Sequence, residues 1–369
     1  VRRLALALAL MLCGGDAAAQ SCRPAPLPPV NACAGTDRVR LAVAGDAMFH
    51  RAIQRRGHAS GFGPIWAAAA PWFDWAEIAV VNLESPTAPG FRRGGRAGPD
   101  PGPVFDDQVY SGYPLFNVHP VAIDALRDAG VTVVTTANNH ALDRGPAGLV
   151  ATLDELDRRG MRHSGAIRPG APRDFALRIR TRLGTIALIG CSYGTNGIPD
   201  PHRQVLLCFR DRAELLAIVA HEAGRGAGVI VLPHWGEEYQ HSPSRAQRDL
   251  GAALVAAGAM AVIGAHPHVV QPWELAEGPM GRGLIAYSTG NFVSSQRSLP
   301  RATGMLLRAE ICRGPRGLAV GGAGWVPLLT AVDAQGLVLS VPQPGQGGTA
   351  AQARALLERL VPGREAGCG

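Results

Sequence analysis

Lysine is absent from this 369-residue chain: all 36 basic residues are Arg, set against 29 acidic ones for a formal charge of +7. A nucleic-acid or polybasic membrane surface needs its cations gathered on one face or in one run. The densest groups here are only Arg92, Arg93 and Arg96, and Arg178, Arg180 and Arg182, which argues against a nucleic-acid partner. Charge is sparse at 18 %, whereas 47 % of residues are hydrophobic, so the chain can bury a large core and does not have the composition of a disordered one. Long apolar runs are also missing. The N-terminal one, Leu4 to Cys13, is about half of what a bilayer span requires, and no later stretch reaches that length, so no transmembrane segment is expected after signal removal.

Close cysteine pairs of the CxxC kind, which a structural zinc site favours, do not occur. The N-terminal run is instead framed as a secretory signal, with Arg2 and Arg3 before it and Ala17, Ala18 and Ala19 after it. Residues 1–19 are therefore read as a signal peptide, 20–38 as a Pro-rich leader, 39–341 as the functional domain and 342–369 as a linker and closing helix. Leu12 before Cys13 is too large for a lipoprotein signal. Six cysteines remain beyond the signal, Cys22, Cys33, Cys191, Cys208, Cys312 and Cys368. In an oxidising compartment these are expected to form up to three disulfides between sequential neighbours.

Short Val- and Ile-rich runs alternate with amphipathic stretches, an α/β rhythm. Strands are expected at Arg40–Ala44, Ile78–Asn82, Val131–Thr136, Thr185–Gly190, Val229–Pro233, Met260–Gly264 and Leu284–Ser288. Helices are expected at Val121–Ala129, Leu149–Arg159 (closed by Gly160), Ala213–Ala223 and Arg245–Ala257 (closed by Gly258). A hairpin of Phe175–Arg182 and Thr185–Gly190, turning at Leu183 and Gly184, begins a second sheet, which the late strands Met305–Ile311, Trp325–Val332 and Leu337–Val341 are expected to complete. Ser85 to Pro114, dense in Gly, Pro and Arg, reads as either a functional lid or a disordered insertion.

Nearly every apolar run ends in residues of metal-ligand or acid/base type. Asp46 follows the first, Glu84 the second, and Asn138, Asn139, His140 and Asp143 the third; His234, then His266 and His268, then Asn291 follow later ones. In α/β sheets the carboxyl ends of strands converge on the ligand crevice, so these residues are expected to meet there. Imidazole, carboxylate and amide oxygen together suit one or two divalent ions such as manganese, iron or zinc. Each residue taken alone has a plainer role: Asp46 as a helix cap, the Asn pair as a turn, Trp235 and Tyr239 as core aromatics, Glu237 and Glu238 as a solvated pair. In HxH, with alternate residues of an extended segment on one face, His266 and His268 are the stronger signal. Placement after strand upon strand is what isolated accidents explain poorly.

The ordered strings GDAMFH, NLES, NNHALDRG, HWGEEY, GAHPHVVQ and YSTGNFVSSQ, from about Val39 to Gln296, resemble the CapA family of bacterial capsule or poly-γ-glutamate synthesis accessory proteins. The resemblance implies a calcineurin-like metallophosphoesterase architecture: two facing mixed β-sheets flanked by helices, four layers in all, with the site at their shared edge. It implies metal ligation by Asp46, Glu84, Asn139, His234, His266 and His268, with His140 as acid and Asp46 also in the catalytic set. His50, Asn138, Trp235, Glu238 and Asn291 are the expected substrate contacts. The family pattern has a His two residues after its first Asp, where this chain has Met48, and an Asp where it has Glu84. The expected role is an exported protein, periplasmic or extracellular within the cell envelope, that acts on poly-γ-glutamate or an anionic polysaccharide, with an envelope biosynthesis or export complex as the expected partner. The alternative is a non-catalytic polymer-binding subunit.

Overall fold

The computed structural model describes residues 24–367, so the expected signal peptide, Cys22 and Cys368 lie outside the described residues. The chain opens with β1 (Ala34–Ala47), α1 (Arg51–Ser60), α2 (Gly63–Trp66), α3 (Ala70–Asp74), β2 (Ile78–Leu83), α4 (Val121–Asp128), β3 (Val133–Thr135), α5 (Gly145–Arg158) and β4 (Arg162–Ser164). It continues with β5 (Ala176–Thr181), β6 (Gly184–Ser192), α6 (Arg212–Gly224), β7 (Gly228–His234), α7 (Arg245–Ala256), β8 (Ala259–Ile263), β9 (Val270–Gly278) and β10 (Gly281–Thr289). It closes with β11 (Asn291–Val293), α8 (Leu299–Ala302), β12 (Thr303–Gly314), β13 (Gly317–Asp333), β14 (Gly336–Ser340) and α9 (Gly348–Leu360).

Two mixed sheets face one another, in the orders β14-β13-β12-β1-β2-β3-β4 and β5-β6-β7-β8-β10-β9. Strand alternation builds both faces of the first sheet. Val39, Leu41 and Val43 of β1 and Ile78 and Val80 of β2 point inward, where they meet Ile186, Leu188, Ile230, Leu232 and Ile263 of the second sheet. The intervening Ala42, Ala44, Ala79 and Val81 lie beneath Ile53, Trp66, Phe73 and Leu126 of the first helices. On the far side Ala187, Ile189, Val229 and Val231 are covered by Leu215 and Val219 of α6 and Leu250 and Leu254 of α7. Helices, sheet, sheet, helices make the expected four layers. Each buried Val, Leu or Ile contributes roughly 1.5–3 kcal/mol to holding them together.

Helix ends follow local chemistry. Ser244 and Gln247 form a reciprocal capping box at the start of α7, and the positive φ of Gly160 and Gly258 ends α5 and α7 as expected.

Three expectations are corrected. The late strands β12, β13 and β14 join the first sheet, because β12 pairs antiparallel with β1 (Leu41 opposite Ala309) and β13 with β12. Sequential cysteine pairing holds for Cys191–Cys208, but Cys33 bonds to Cys312, 279 residues away, since the same pairing brings Ala34 opposite Arg313. The segment after Ser85 is not a disordered insertion. Asn117 ties it together by donating to the carbonyls of Ala88 and Val109 and accepting from the Ala88 amide. The buried Arg144 guanidinium donates to Phe91, Val109 and Leu115 carbonyls and to the Ser111 hydroxyl.

Among the described residues no helix is long and apolar enough to cross a membrane.

Candidate metal centre

The centre is built on one rung of the first sheet. Asn291 of β11, Asp46 of β1, Asn82 of β2, Thr135 of β3 and Ser164 of β4 are successive partners across neighbouring strands. A register irregularity at Gly45 re-aims Asp46, and a Cβ at Gly45 would sit 1.8 Å from the Gly290 carbonyl, so only glycine fits. The second sheet contributes His234 at the end of β7 and the turn after β8 that carries His266 and His268.

All six expected ligands are buried and converge. Glu84, His266 and His268 have ligand atoms within 4.8 Å of one another, and so do Asp46, Glu84 and His234, so Glu84 belongs to both groups. Asn139 Oδ1 lies 2.8 Å from His234 Nε2. The pairs Asp46 Oδ2–His268 Nδ1 (3.2 Å) and Glu84 Oε1–His234 Nε2 (3.5 Å) close the ring. The convergence comes about differently from the expectation at one point. His266 and His268 do not share a face of an extended segment; both have left-handed backbone, at φ 100 and 57. Such conformations cost roughly 1–3 kcal/mol in a non-glycine residue and persist where surrounding structure enforces them. Here the His266 amide donates to Asp46 Oδ2 (3.1 Å) and fixes the turn.

Both carboxylate oxygens of Glu84, and Nδ1 of His266, are buried without a hydrogen-bond partner. An ionised carboxylate in that position is costly unless a cation neutralises it. The titration of the cluster carries the same signature. Burial, followed by the charge of Asp46, drives the Glu84 carboxyl well above its ordinary range. At Asp46 burial pushes upward too, but the hydrogen bond from His268 and the nearby imidazoles prevail and hold it low. Burial lowers His234 to about 3 and His266 to about 2; at His268 the burial effect is overcome by Glu84 and Asp46, which raise it to about 9. Two carboxylates, an amide oxygen and three imidazoles, with three of their donor atoms unpartnered, fit a divalent cation.

His140 stands apart from the ligand groups. Its Nδ1 is 2.8 Å from Asp143 Oδ2, which also accepts from the Phe116 amide at 2.6 Å. That arrangement makes Nδ1 the donor and leaves Nε2 free for another partner. Burial disfavours the imidazolium, but Asp143 and then Glu84 outweigh it and raise the His140 pKa.

The expected substrate contacts divide. His50 and Glu238 remain accessible near the centre, with His50 half-buried and accepting at Nδ1 from the Ser295 amide. Three expectations are corrected. Trp235 is fully buried, and its indole N–H donates to the Tyr287 carbonyl, so it belongs to the core beneath α7. Asn138 is fully buried and donates to the Leu83 carbonyl and to Asn82 Oδ1. Asn291 is buried with Oδ1 against His268 Nδ1 (3.1 Å); it orients a ligand rather than meeting a substrate.

Asn82 is the residue that sequence reasoning left without a role. Its amide nitrogen donates to Asp46 Oδ1 (2.7 Å) and to His234 Nδ1 (3.1 Å), and its oxygen accepts from Thr135 (2.8 Å) and Asn138 (3.2 Å). The available signal was a polar side chain at the end of an otherwise apolar strand, IAVVNL. Tyr193, whose ring lies 4.4 Å from His266, and Tyr239, 6.1 Å from His268 and beneath the Arg301 guanidinium, form part of the rim.

This chain is 26 % identical over 269 residues to the PGA biosynthesis protein CapA of Bacillus subtilis (strain 168), which covers 70 % of this chain and 64 % of that protein. It is 26 % identical over 274 residues to the capsule biosynthesis protein CapA of Bacillus anthracis, with 70 % and 61 % covered. It thus spans somewhat under two thirds of the length of these relatives. Among solved structures it is similar to the calcineurin-like phosphoesterase YfkN from Bacillus subtilis at 14 % identity and a TM-score of 0.47, with 88 % of this chain and 98 % of that chain covered. Residues 40–296, well over half the chain, match the family model of the bacterial capsule synthesis protein PGA_cap, and the chain belongs to that family.

Proposed function

We propose that this chain is an exported envelope protein that binds one or two divalent ions, manganese, iron or zinc, and uses them to hydrolyse or transfer a bond in an anionic surface polymer, poly-γ-glutamate or a polysaccharide. The observation that carries the reading is Glu84, buried with both oxygens unpartnered at the junction of two ligand groups. Glu84, His266 and His268 would hold one ion, and Asp46, Glu84 and His234, with Asn139 beside His234, the other. Such ions polarise the reacting oxygen and supply hydroxide near neutral pH. Asn82 and Asn291 orient Asp46, His234 and His268. His140, whose Nδ1–H is held by Asp143, acts as the imidazolium that Asp143 favours: it gives its Nε2 proton to the leaving group and is left neutral with Nδ1–H retained. The two disulfides accord with an oxidising compartment, and the relatives' names point to the polymer.

The test is metal content after loading with each ion, followed by turnover of a phosphodiester and of polyglutamate. Stoichiometric metal that Glu84→Gln abolishes, together with activity that His140→Ala removes without lowering Tm, is the expected result. Protein that retains no metal, or full activity in His140→Ala, overturns it. A second reading, a non-catalytic polymer-binding subunit, is favoured by one observation: buried Met48 stands where the family resemblance puts a ligand. It requires polymer binding by metal-free protein without turnover.

A further inference from the structure

We propose that the cleft beside the first turn of α1 is an anion subsite on the leaving-group side of the centre, which seats a carboxylate of the polymer next to the bond being processed. The inference rests on the function proposed above. The cleft, of about 380 Å³, is lined by His50, Arg51, Arg55, Asp107, Tyr113 and Ser295.

Its charge is uneven. Arg51 and Arg93 both pair with Asp107, each at 2.7 Å, and remain substantially exposed. Arg55 has no carboxylate within ion-pair distance among the described residues; its guanidinium lies over the Phe105 ring at 5.6 Å, beside that of Arg51 at 5.7 Å. Three guanidinium groups therefore face one carboxylate. Arg51 and Arg55 are one helical turn apart, about 5–6 Å between Cβ atoms, so both can reach one bound anion. The N-cap His50 supplies no side-chain bond to the first turn, whose N–H groups add positive potential at the same end. Guanidinium groups bind carboxylates bidentately and stay charged at every physiological pH.

The location gives the site its role. His50 lines the cleft and sets its ring edge-on against Phe116 at 5.3 Å, and Phe116 meets His140 edge-on at 4.7 Å. Two rings in series, His50 and Phe116, connect the cleft to the proton donor, so a group seated there belongs to the departing side of the substrate. Tyr113, 72 % exposed, stands at the rim, where a chain leaving the centre would pass. A polymer with a carboxylate on every unit can put one charge over Arg55 while the neighbouring bond lies at the metals.

The experiment measures fluorescence anisotropy of a labelled short γ-linked glutamate oligomer on metal-loaded protein at low and high salt. Inorganic phosphate and a neutral γ-linked glutamine oligomer serve as competitors. Arg55→Glu is expected to weaken oligomer binding by about tenfold or more and to flatten its salt dependence, while Arg55→Lys retains most of it. Unchanged metal content and Tm in both variants show that the centre is intact. Equal oligomer affinity in wild type and Arg55→Glu overturns the subsite alone. No oligomer binding by wild type overturns the polymer reading along with it. Displacement by phosphate as effective as by unlabelled oligomer, or by the neutral oligomer, also overturns the assignment to a polymer carboxylate.

Discussion

Replacing Asn82 tests whether one amide holds the centre together. Asn82→Ala deletes a hydrogen bond to the Asp46 carboxylate and one to His234, and leaves Thr135 and Asn138 without their shared acceptor. A bond to a charged group is worth about 1.5–3 kcal/mol, and each of the three neutral groups left unsatisfied costs about 1 kcal/mol, for a total of about 5 kcal/mol. With an unfolding entropy of about 2.1 cal/mol/K per residue, a chain of this length loses about 1.3 °C per kcal/mol, so Tm should fall by about 6–7 °C. Asn82→Asp acts differently, because it adds a second carboxylate facing Asp46 Oδ1. At an effective dielectric constant of about 20, two charges about 4 Å apart repel by about 4 kcal/mol. Calorimetry of metal-free and manganese-loaded protein separates the two effects. The Asp variant should be the less stable without metal and should recover most on adding it, since a cation relieves the repulsion; the Ala variant should recover only partly. An Ala variant that melts within about 1 °C of wild type and keeps its metal stoichiometry would refute the reasoning.

The two disulfides should differ in worth because their loops differ in length. On chain-entropy grounds, closing loops with separations of 279 and 17 residues stabilises by about 5.6 and about 3.1 kcal/mol, so paired Cys33/Cys312→Ser should lower the urea midpoint more than paired Cys191/Cys208→Ser; the reverse order would contradict it. Acid should act on carboxylates held below their ordinary pKa of 3.8: exposed Asp174, first through its hydrogen bond from Arg178, and buried Asp211, where Arg210 and the Leu207 amide outweigh burial. A depressed pKa gives stability that is present above the unfolded value and lost as pH falls through the folded one. Tm should therefore fall below about pH 4, and Arg178→Gln should flatten that limb; an unaltered acid limb in the variant would count against the pairing.

Several features could be read directly from residue order. The β1 and β2 runs are nearly continuously apolar rather than alternating, so both of their faces are apolar, which marks them as strands buried between layers. Gly160 and Gly258 marked helix ends because few other residues adopt their positive φ without cost. Asp46, Glu84, Asn139, His234, His266 and His268 were legible as a set because each follows an apolar strand, and the polarity of a parallel arrangement sends those ends to one edge.

What the sequence by itself determined was thus the elements, their buried faces and the inventory of ligand-type side chains, all properties that repeat over a few residues. Which strand lies beside which was decided only by the tertiary structure. Leu41 meets Ala309, and Cys33 meets Cys312, across more than half the chain, and no local periodicity encodes such neighbours. The same holds within the centre. Asn82 becomes its organiser because sheet register sets it between Asp46 and Thr135, whereas Trp235, one residue beyond a ligand, turns into the core because the backbone there directs its side chain to the opposite side. Alternation tells which residues share a face; only long-range packing tells what that face meets.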